Sequence, residues 1–332
     1  MSQLWDTSGI TPQKNVVMAG ETIPAIFWNA VAARGPNVWM RQKDLGIWRS
    51  WTWNETGQAV REIGHGLMAL GFEARHTASI LSNTNIEWVL CDLAVLSAGG
   101  ISNGIYPTDA PEQVHYLCED SGTRVLFVED DEQLDKALAV RASLPLLQKI
   151  VVFDMEGLRD FHDPMVISLK QLQALGRVHA QQHSDMLTQR SAACKPEELA
   201  ILVYTSGTTG KPKGGMHSHH GLVYTVRGYN TLIARDERDE CMCFLPLCHI
   251  AERMGGAFKR QESEQFSHLL EEGLHPDVLG ERVLRAIRNK EFYIFTHTWA
   301  RELLDERHAR IQAAFDECET WYSERGMEPP PR

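Results

Sequence analysis

One stretch decides how this chain folds: Tyr204-Thr205-Ser206-Gly207-Thr208-Thr209-Gly210-Lys211-Pro212-Lys213-Gly214. It follows an apolar run, residues 199–203, that predicts a buried strand. Glycines let backbone N–H groups approach phosphate oxygens closely, hydroxyls donate further hydrogen bonds, and lysines supply positive charge. We call this stretch the phosphate loop, because its composition predicts a loop that wraps a polyphosphate.

The phosphate loop is not a Walker A motif, which has four residues between its glycines and a Ser or Thr after its lysine. Here only two residues separate Gly207 from Gly210, and Pro212 stands in place of the hydroxyl residue. The alternative is an ordinary surface turn, because Gly, Ser, Thr and Pro are also turn residues. The ordered mixture directly after a buried strand favours phosphate binding.

Alternating helices and strands predict an α/β fold with a layered, mostly parallel sheet and helices on both faces. Ligands bind beyond the C-terminal ends of the strands in such sheets, which is where the phosphate loop lies. Helices are predicted at 54–70, 85–98, 110–119, 131–142 and 218–233. Strands are predicted at 77–81, 101–105, 124–128, 149–153, 199–203 and 240–245. Residues 177–197 are polar and predict a surface connection.

The chain resembles the adenylate-forming (AMP-binding) enzymes, a superfamily of acyl-CoA synthetases, luciferases and peptide-synthetase adenylation domains. Within it, the chain is most similar to the long-chain fatty acyl-CoA synthetases, from about residue 39 to about residue 256. Besides the phosphate loop, the resemblance rests on Leu245-Pro246-Leu247-Cys248-His249-Ile250-Ala251-Glu252-Arg253, Asn85-Ile86-Glu87-Trp88, Gly104-Ile105-Tyr106-Pro107-Thr108 and Val152-Phe153-Asp154.

The resemblance implies a fatty acid–CoA ligase reaction with fatty acid, ATP and coenzyme A as small-molecule substrates and Mg²⁺ as cofactor. The fatty acid and ATP give an acyl-adenylate and pyrophosphate, and the coenzyme A thiol then displaces AMP. The nucleotide-binding residues that it implies are Thr205, Ser206, Gly207, Thr208, Thr209, Gly210 and Lys213. Thr205 would also assist Mg²⁺ during catalysis. His249 would lie near the acyl and adenylate site; the alternative is a packed histidine at a strand end.

Composition changes after Gly256, and we expect two segments. Residues 1–257 resemble part of an acyl-CoA synthetase N-terminal domain. Residues 258–332 form a tail with a helix at 276–289, a strand at 292–295 and a helix at 300–322. The tail resembles the C-terminal end of a short-chain dehydrogenase, as though two gene fragments were joined in one frame. No tyrosine has a lysine four residues later, so we expect no oxidoreductase activity.

Some family motifs have no counterpart after residue 256. The resemblance predicts a Tyr-Gly-x-Thr-Glu segment that helps hold Mg²⁺, a Thr-Gly-Asp segment that grips the ribose, and a small lid domain with a lysine. Preorganised charge at the reacting centre is usually the largest catalytic contribution, so we expect weak or no acyl-CoA synthesis. Two alternatives stay open: a non-catalytic nucleotide- or pyrophosphate-binding remnant, and a non-functional gene fusion.

Composition excludes several other classes. The net charge is −11, from 33 basic and 44 acidic residues, which argues against nucleic acid as the main partner. No uncharged apolar run is long enough to span a membrane, although peripheral membrane contact stays open. Seven scattered cysteines and the lack of a visible secretory signal predict a cytoplasmic protein.

Two further clusters contain metal-ligand residue types. Cys241, Cys243, Cys248 and His249 resemble a metal set, but alternating cysteines on a strand are more typical of packing than of zinc binding. His217, His219 and His220 also cluster, and for these we expect a structural role.

Overall fold

We describe a computed structural model of the chain, which covers residues 20–205, 211–232, 242–243, 245–253, 276–289 and 300–327. The chain divides into two compact units, Met1–Ser263 and Glu264–Arg332. The family assignment of each side of the predicted boundary at 257 stays a prediction, because compactness alone does not identify a family.

The first unit is built on a seven-stranded sheet with the strand order β7-β6-β5-β3-β4-β8-β9. All neighbouring strands are parallel except β8 and β9, so the predicted α/β fold with a mostly parallel sheet is confirmed. The strands are β1 (Val38–Asp44), β2 (Ile47–Thr52), β3 (Thr77–Leu81), β4 (Ile101–Ile105), β5 (Thr123–Val128), β6 (Lys149–Val152), β7 (Val166–Ser168), β8 (Leu199–Thr205) and β9 (Lys213–Ser218). Strands β1 and β2 form a separate antiparallel hairpin.

Helices cover both faces of this sheet. They are α1 (Ile23–Arg34), α2 (Trp53–Ala69), α3 (Ile86–Ser97), α4 (Pro111–Asp120), α5 (Asp131–Val140), α6 (Leu169–Gln182), α7 (Met186–Ala193) and α8 (His219–Leu232). Successive side chains of β5 show the two layers, because Val125 and Phe127 join the core under α2 and α3 while Leu126 and Val128 join the core under α4 and α5. Each fully buried side chain of this kind stabilises the fold by about 1.5–3 kcal/mol.

Most predicted elements agree with the structure within a few residues, but the surface connection predicted at 177–197 is wrong. Helices α6 and α7 occupy most of it, and α6 packs closely against α2. The contact is made through glycines: a Cβ atom at Gly176 would overlap the carbonyl oxygen of Glu62 and lie 2.8 Å from the amide nitrogen of Gly66. The buried apolar side chains of α6, Leu169 and Leu172, precede residue 177, and residues 177–182 contain no buried side chain, so the part of the helix within 177–197 carries no apolar pattern.

The region after the phosphate loop differs from prediction in two ways. Strand β9 is not predicted, because Lys213-Gly-Gly-Met-His-Ser carries two glycines and no β-branched residue; it is defined by its ladder to β8. In the strand predicted at 240–245, only Met242, Cys243 and Leu245 are described, and none of the three is in a strand. The helix predicted at 218–233 is confirmed as α8.

The second unit contains two described helices, α9 (Pro276–Arg288) and α10 (Ala300–Glu324), which confirm the two helices predicted in the tail. The strand predicted at 292–295 lies outside the described residues.

Candidate functional site

The phosphate loop connects β8 to β9, so its two ends are held by an antiparallel ladder. Thr205 is the last residue of β8 and pairs directly with Lys213, the first residue of β9. Both side chains are exposed at the end of the ladder. The structure therefore brings together two of the predicted nucleotide-binding residues; the others, Ser206, Gly207, Thr208, Thr209 and Gly210, lie outside the described residues.

Helix α4 holds both stems of the phosphate loop. On the entering stem, the Tyr204 hydroxyl donates a hydrogen bond of 2.7 Å to the Asp120 carboxylate. On the leaving stem, the Tyr116 hydroxyl donates one of 2.9 Å to the Pro212 carbonyl oxygen, and the Lys211 ammonium lies 4.8 Å from the centre of the Tyr116 ring. Burial, followed by the Asp120 contact, raises the pKa of Tyr204, so its hydroxyl stays a donor at neutral pH. We call these contacts the α4 clamp.

The segment that contains His249 approaches the same edge of the sheet as the phosphate loop. Strands β4 and β8 run parallel and pair at Asn103 and Leu202, so their C-terminal ends lie side by side. Cys248 packs over the end of β4, because a Cβ atom at Gly104 would lie 2.7 Å from its Cα atom. Burial, with a smaller contribution from Cys248, raises the pKa of the neighbouring Tyr106.

Local hydrogen bonds shape the segment around His249. The Thr84 hydroxyl donates to the carbonyl oxygen of Leu245, and the His249 amide donates to the carbonyl oxygen of Pro246. A short helical turn follows at Ile250–Glu252, and the Arg253 amide donates to the carbonyl oxygen of His249. The His249 side chain is exposed, which disfavours the alternative of a packed histidine.

A buried ion pair anchors the end of this segment to α3. The Arg253 guanidinium contacts the Asp92 carboxylate, and both side chains are almost fully buried. The guanidinium also lies 5.0 Å from the Trp88 ring centre. Burial lowers the pKa of Arg253, and the nearby Asp92 charge opposes this effect. Within the described residues, Nε and Nη1 of Arg253 have no hydrogen-bond partner, so its charge depends mainly on Asp92.

The described residues suit a metal ion that arrives with a ligand better than a metal held by the protein alone. They contain no group of three His, Cys, Asp or Glu side chains that could hold a metal ion. Of the Cys241–His249 set, Cys243 is exposed and Cys248 is buried, while Cys241 lies outside the described residues. Mg²⁺ is often bound by one or two protein oxygens together with substrate phosphates. The exposed Thr205 hydroxyl fits that role.

His219 has the structural role that we expect for its cluster. Its side chain is buried, and its Nδ1 atom accepts a hydrogen bond of 3.4 Å from the Ile23 amide at the start of α1. Burial lowers the pKa of His219 to about 4, so the imidazole is neutral at pH 7.

Neither the α4 clamp nor the partner of Arg253 was predicted from the sequence. No sequence signal marks Tyr116 or Asp120, because both lie on an ordinary amphipathic helix. Asp92 does carry a signal: it is a carboxylate in the middle of the apolar helix α3, beyond the first turn that contains Glu87, and a buried charge requires a partner.

Comparison with known proteins identifies the class to which this fold and loop belong. The sequence model of the AMP-binding enzyme family matches residues 27–277. The chain therefore belongs to the AMP-binding enzyme family.

Curated relatives are long-chain-fatty-acid–CoA ligases by name. The chain is 31% identical over 237 residues to "Long-chain-fatty-acid--CoA ligase ACSBG2" of Xenopus laevis. This match covers 70% of this chain and 31% of that protein. It is 32% identical over 212 residues to "Long-chain-fatty-acid--CoA ligase FadD15" of Mycobacterium tuberculosis. This second match covers 63% of this chain and 33% of that protein. The match thus spans about a third of the length of these relatives.

Solved structures show the same fold. The anthranilate CoA ligase AuaEII in complex with anthranoyl-AMP matches with a TM-score of 0.58 at 23% identity, covering 68% of this chain and 40% of that one. The luciferase-like enzyme of the mealworm Zophobas morio matches with a TM-score of 0.59 at 17% identity, covering 70% and 50%. Among the described residues, no helix is long and apolar enough to cross a membrane.

Proposed function

We propose that this chain binds Mg-ATP at the phosphate loop as the nucleotide-binding part of a long-chain-fatty-acid–CoA ligase. The observation that carries the proposal is the β8–β9 stem, which places Thr205 opposite Lys213 at the C-terminal edge of the parallel sheet. Lys211 adds a second cation beside this stem, on the ring of Tyr116. Two cations and a hydroxyl beside a glycine-rich loop suit the charge and the acceptor oxygens of a polyphosphate.

In this proposal each residue of the loop has a stated task. Thr205, Ser206, Thr208, Thr209 and Lys213 contact the β- and γ-phosphates, and the Thr205 hydroxyl supplies one oxygen to Mg²⁺. The metal ion would neutralise charge on the phosphates. His249 would face the acyl and adenylate groups from the neighbouring end of β4. The fatty acid carboxylate would attack the α-phosphorus and release pyrophosphate, and the coenzyme A thiol would then release AMP.

We further propose that this chain by itself has weak or no ligase activity. The family's Mg²⁺-binding glutamate and ribose-binding aspartate have no counterpart in the residues after 256. Without those groups the developing charge loses stabilisation, and each 1.4 kcal/mol lost is about a tenfold lower rate. The second candidate is a binding module that retains nucleotide or pyrophosphate without turnover; the tail that resembles a dehydrogenase end favours it over a complete ligase.

Calorimetric titration with Mg-ATP tests the binding proposal. We expect the wild-type chain to bind and Lys213→Gln to bind about tenfold or more weakly, because a hydrogen bond to a charged group contributes about 1.5–3 kcal/mol. Lys170→Gln is the matched control, since it removes the same charge from an exposed position on α6. Equal affinities of the two variants would refute the assignment of Lys213.

Two outcomes then separate the alternatives. Absence of heat with Mg-ATP would favour a non-functional fusion. Mg-ATP binding without AMP release from fatty acid and coenzyme A would favour the non-catalytic module, whereas robust AMP release that depends on coenzyme A would support a working ligase.

A further inference from the structure

The tip of the β1–β2 hairpin exposes three large apolar side chains. Leu45 is 96% exposed, Ile47 68% and Trp48 62%. They lie within four consecutive positions, with Gly46 between them. We call residues 45–48 the hairpin tip. Scattered exposed apolar residues are ordinary on protein surfaces, but a contiguous group at a protruding turn indicates an interaction site.

The backbone conformation of the hairpin tip shows that the geometry of the turn does not favour a leucine at position 45. Leu45 has φ of 46° and Gly46 has φ of 84°, so both central residues of this two-residue turn have positive φ. Turns of that kind favour Asn or Asp followed by Gly, because a leucine side chain is strained at positive φ. The chain therefore keeps a strained leucine at a position where the side chain gains almost no burial, which points to a use for that side chain outside the fold.

The base of the hairpin is fixed to the first unit. Trp39 of β1 stacks on Trp53 at the start of α2 with ring centres 4.3 Å apart, and both pack near Phe27 of α1. Three residues further along β1, the Gln42 side chain accepts a hydrogen bond of 2.9 Å from the Ile86 amide at the start of α3. The apolar tip is thus presented on an arm that is anchored at its base.

Basic side chains flank the tip on an otherwise acidic chain. The hairpin carries Arg41, Lys43 and Arg49 against a single acidic residue, Asp44, whereas the whole chain has a net charge of −11. Lys43 lies 6.0 Å from the centre of the Trp48 ring, its cross-strand partner. Apolar residues with a tryptophan, flanked by cations, match the boundary of an anionic bilayer, where indole rings favour the headgroup level and cations face anionic lipid.

We propose that the hairpin tip docks on the surface of an anionic lipid bilayer and inserts Leu45, Ile47 and Trp48 at its headgroup boundary. A second copy of the chain is the less suitable occupant. Stable protein interfaces take about 800 Å² and twenty or more residues from each partner, which three side chains do not supply. The proposal does not depend on nucleotide binding, because it rests on the hairpin alone.

Vesicle co-sedimentation of the full chain tests this site. We expect the protein to bind phosphatidylcholine vesicles that contain phosphatidylserine, and to bind pure phosphatidylcholine vesicles more weakly. Leu45→Asn should lower the vesicle partition coefficient about tenfold, the minimum effect of withdrawing one inserted leucine. Asparagine tolerates positive φ, so the same variant should be at least as stable as wild type, and a folding failure cannot explain the loss.

Val178→Asn is the matched control, because Val178 is a 58% exposed apolar residue on α6, far along the chain from the hairpin. Vesicle binding of this variant should equal that of the wild type. Unchanged binding of Leu45→Asn, or no binding of the wild-type chain to anionic vesicles, would overturn the proposal. So would self-association that Leu45→Asn abolishes, since that result would assign the tip to a second copy.

Discussion

Replacing Gly176 by alanine tests the packing of α6 on α2, a contact that was not predicted from the sequence. The new Cβ atom would overlap the Glu62 carbonyl oxygen and lie 2.8 Å from the Gly66 amide nitrogen. Both are backbone atoms, so no side-chain rotation relieves the overlap and the helices must separate. Overpacking of this kind costs about 1–3 kcal/mol, and the higher end applies where backbone must move.

The helical preference of alanine offsets part of that cost. Alanine is favoured over glycine in a helix interior by about 1 kcal/mol, so we expect a net loss of about 2 kcal/mol in the free energy of unfolding. Gly228→Ala in α8 is the matched control, because among the described residues no atom outside its own stretch of helix lies within 4 Å of its new Cβ. Both changes restrict the unfolded chain equally, and Gly228→Ala should stabilise by up to about 1 kcal/mol.

Urea denaturation followed by circular dichroism measures both variants. The two unfolding free energies should differ by about 3 kcal/mol, the sum of the expected loss and gain, with similar denaturant slopes. If the two alanine variants unfold at the same urea concentration, α6 does not contact α2 through Gly176 and the reasoning is refuted.

Three other predictions concern single contacts. Asp92→Asn should lower the free energy of unfolding by about 3–5 kcal/mol in urea titrations, because it leaves Arg253 buried without its counter-charge; an unchanged midpoint would contradict this. The pKa of His219 is lower in the folded chain than its usual 6.5, so only the unfolded chain takes up the proton as pH falls from 6.5 to about 4, and stability should decrease across that window. His219→Gln keeps an acceptor for the Ile23 amide and should flatten that pH dependence; an identical pH profile would show that His219 does not titrate as described. Tyr116→Phe removes the hydrogen bond to Pro212 but keeps the ring under Lys211, so calorimetry should show Mg-ATP binding about fivefold weaker, with the melting temperature lowered by a few degrees at most; unaltered affinity would remove the α4 clamp from the proposed site.

The strands and helices that bury large apolar side chains were predictable from sequence. Strands β5 and β6 lie within one residue of their predicted bounds, because each contains a short run of buried apolar residues, 125–128 and 150–152. Strand β9 and the second half of α6 were not predictable in that way. Strand β9 is defined by its ladder to β8, and residues 177–182 of α6 contain no buried side chain.

The residues of the candidate site likewise divide into those that could be predicted from sequence and those that could not. The phosphate loop has a local signature, so Thr205 and Lys213 could be named from sequence, and the structure pairs them. The groups that hold the site in place come from distant parts of the chain: Tyr116 reaches Pro212 across 96 positions and Arg253 reaches Asp92 across 161. A local pattern can indicate that Asp92 needs a partner, but it does not identify the distant partner residue in either contact.

The ladder between β8 and β9 also determines whether the chain entropy of the phosphate loop is lost during folding or during ligand binding. Because Thr205 and Lys213 are paired in the sheet, the ends of the loop are brought together during folding. Closing a loop of this length costs on the order of 2 kcal/mol of chain entropy, which a ligand therefore does not have to supply. A peptide cut out of the chain at these two residues would meet that cost on binding, so its affinity for a polyphosphate should be at least about thirtyfold lower.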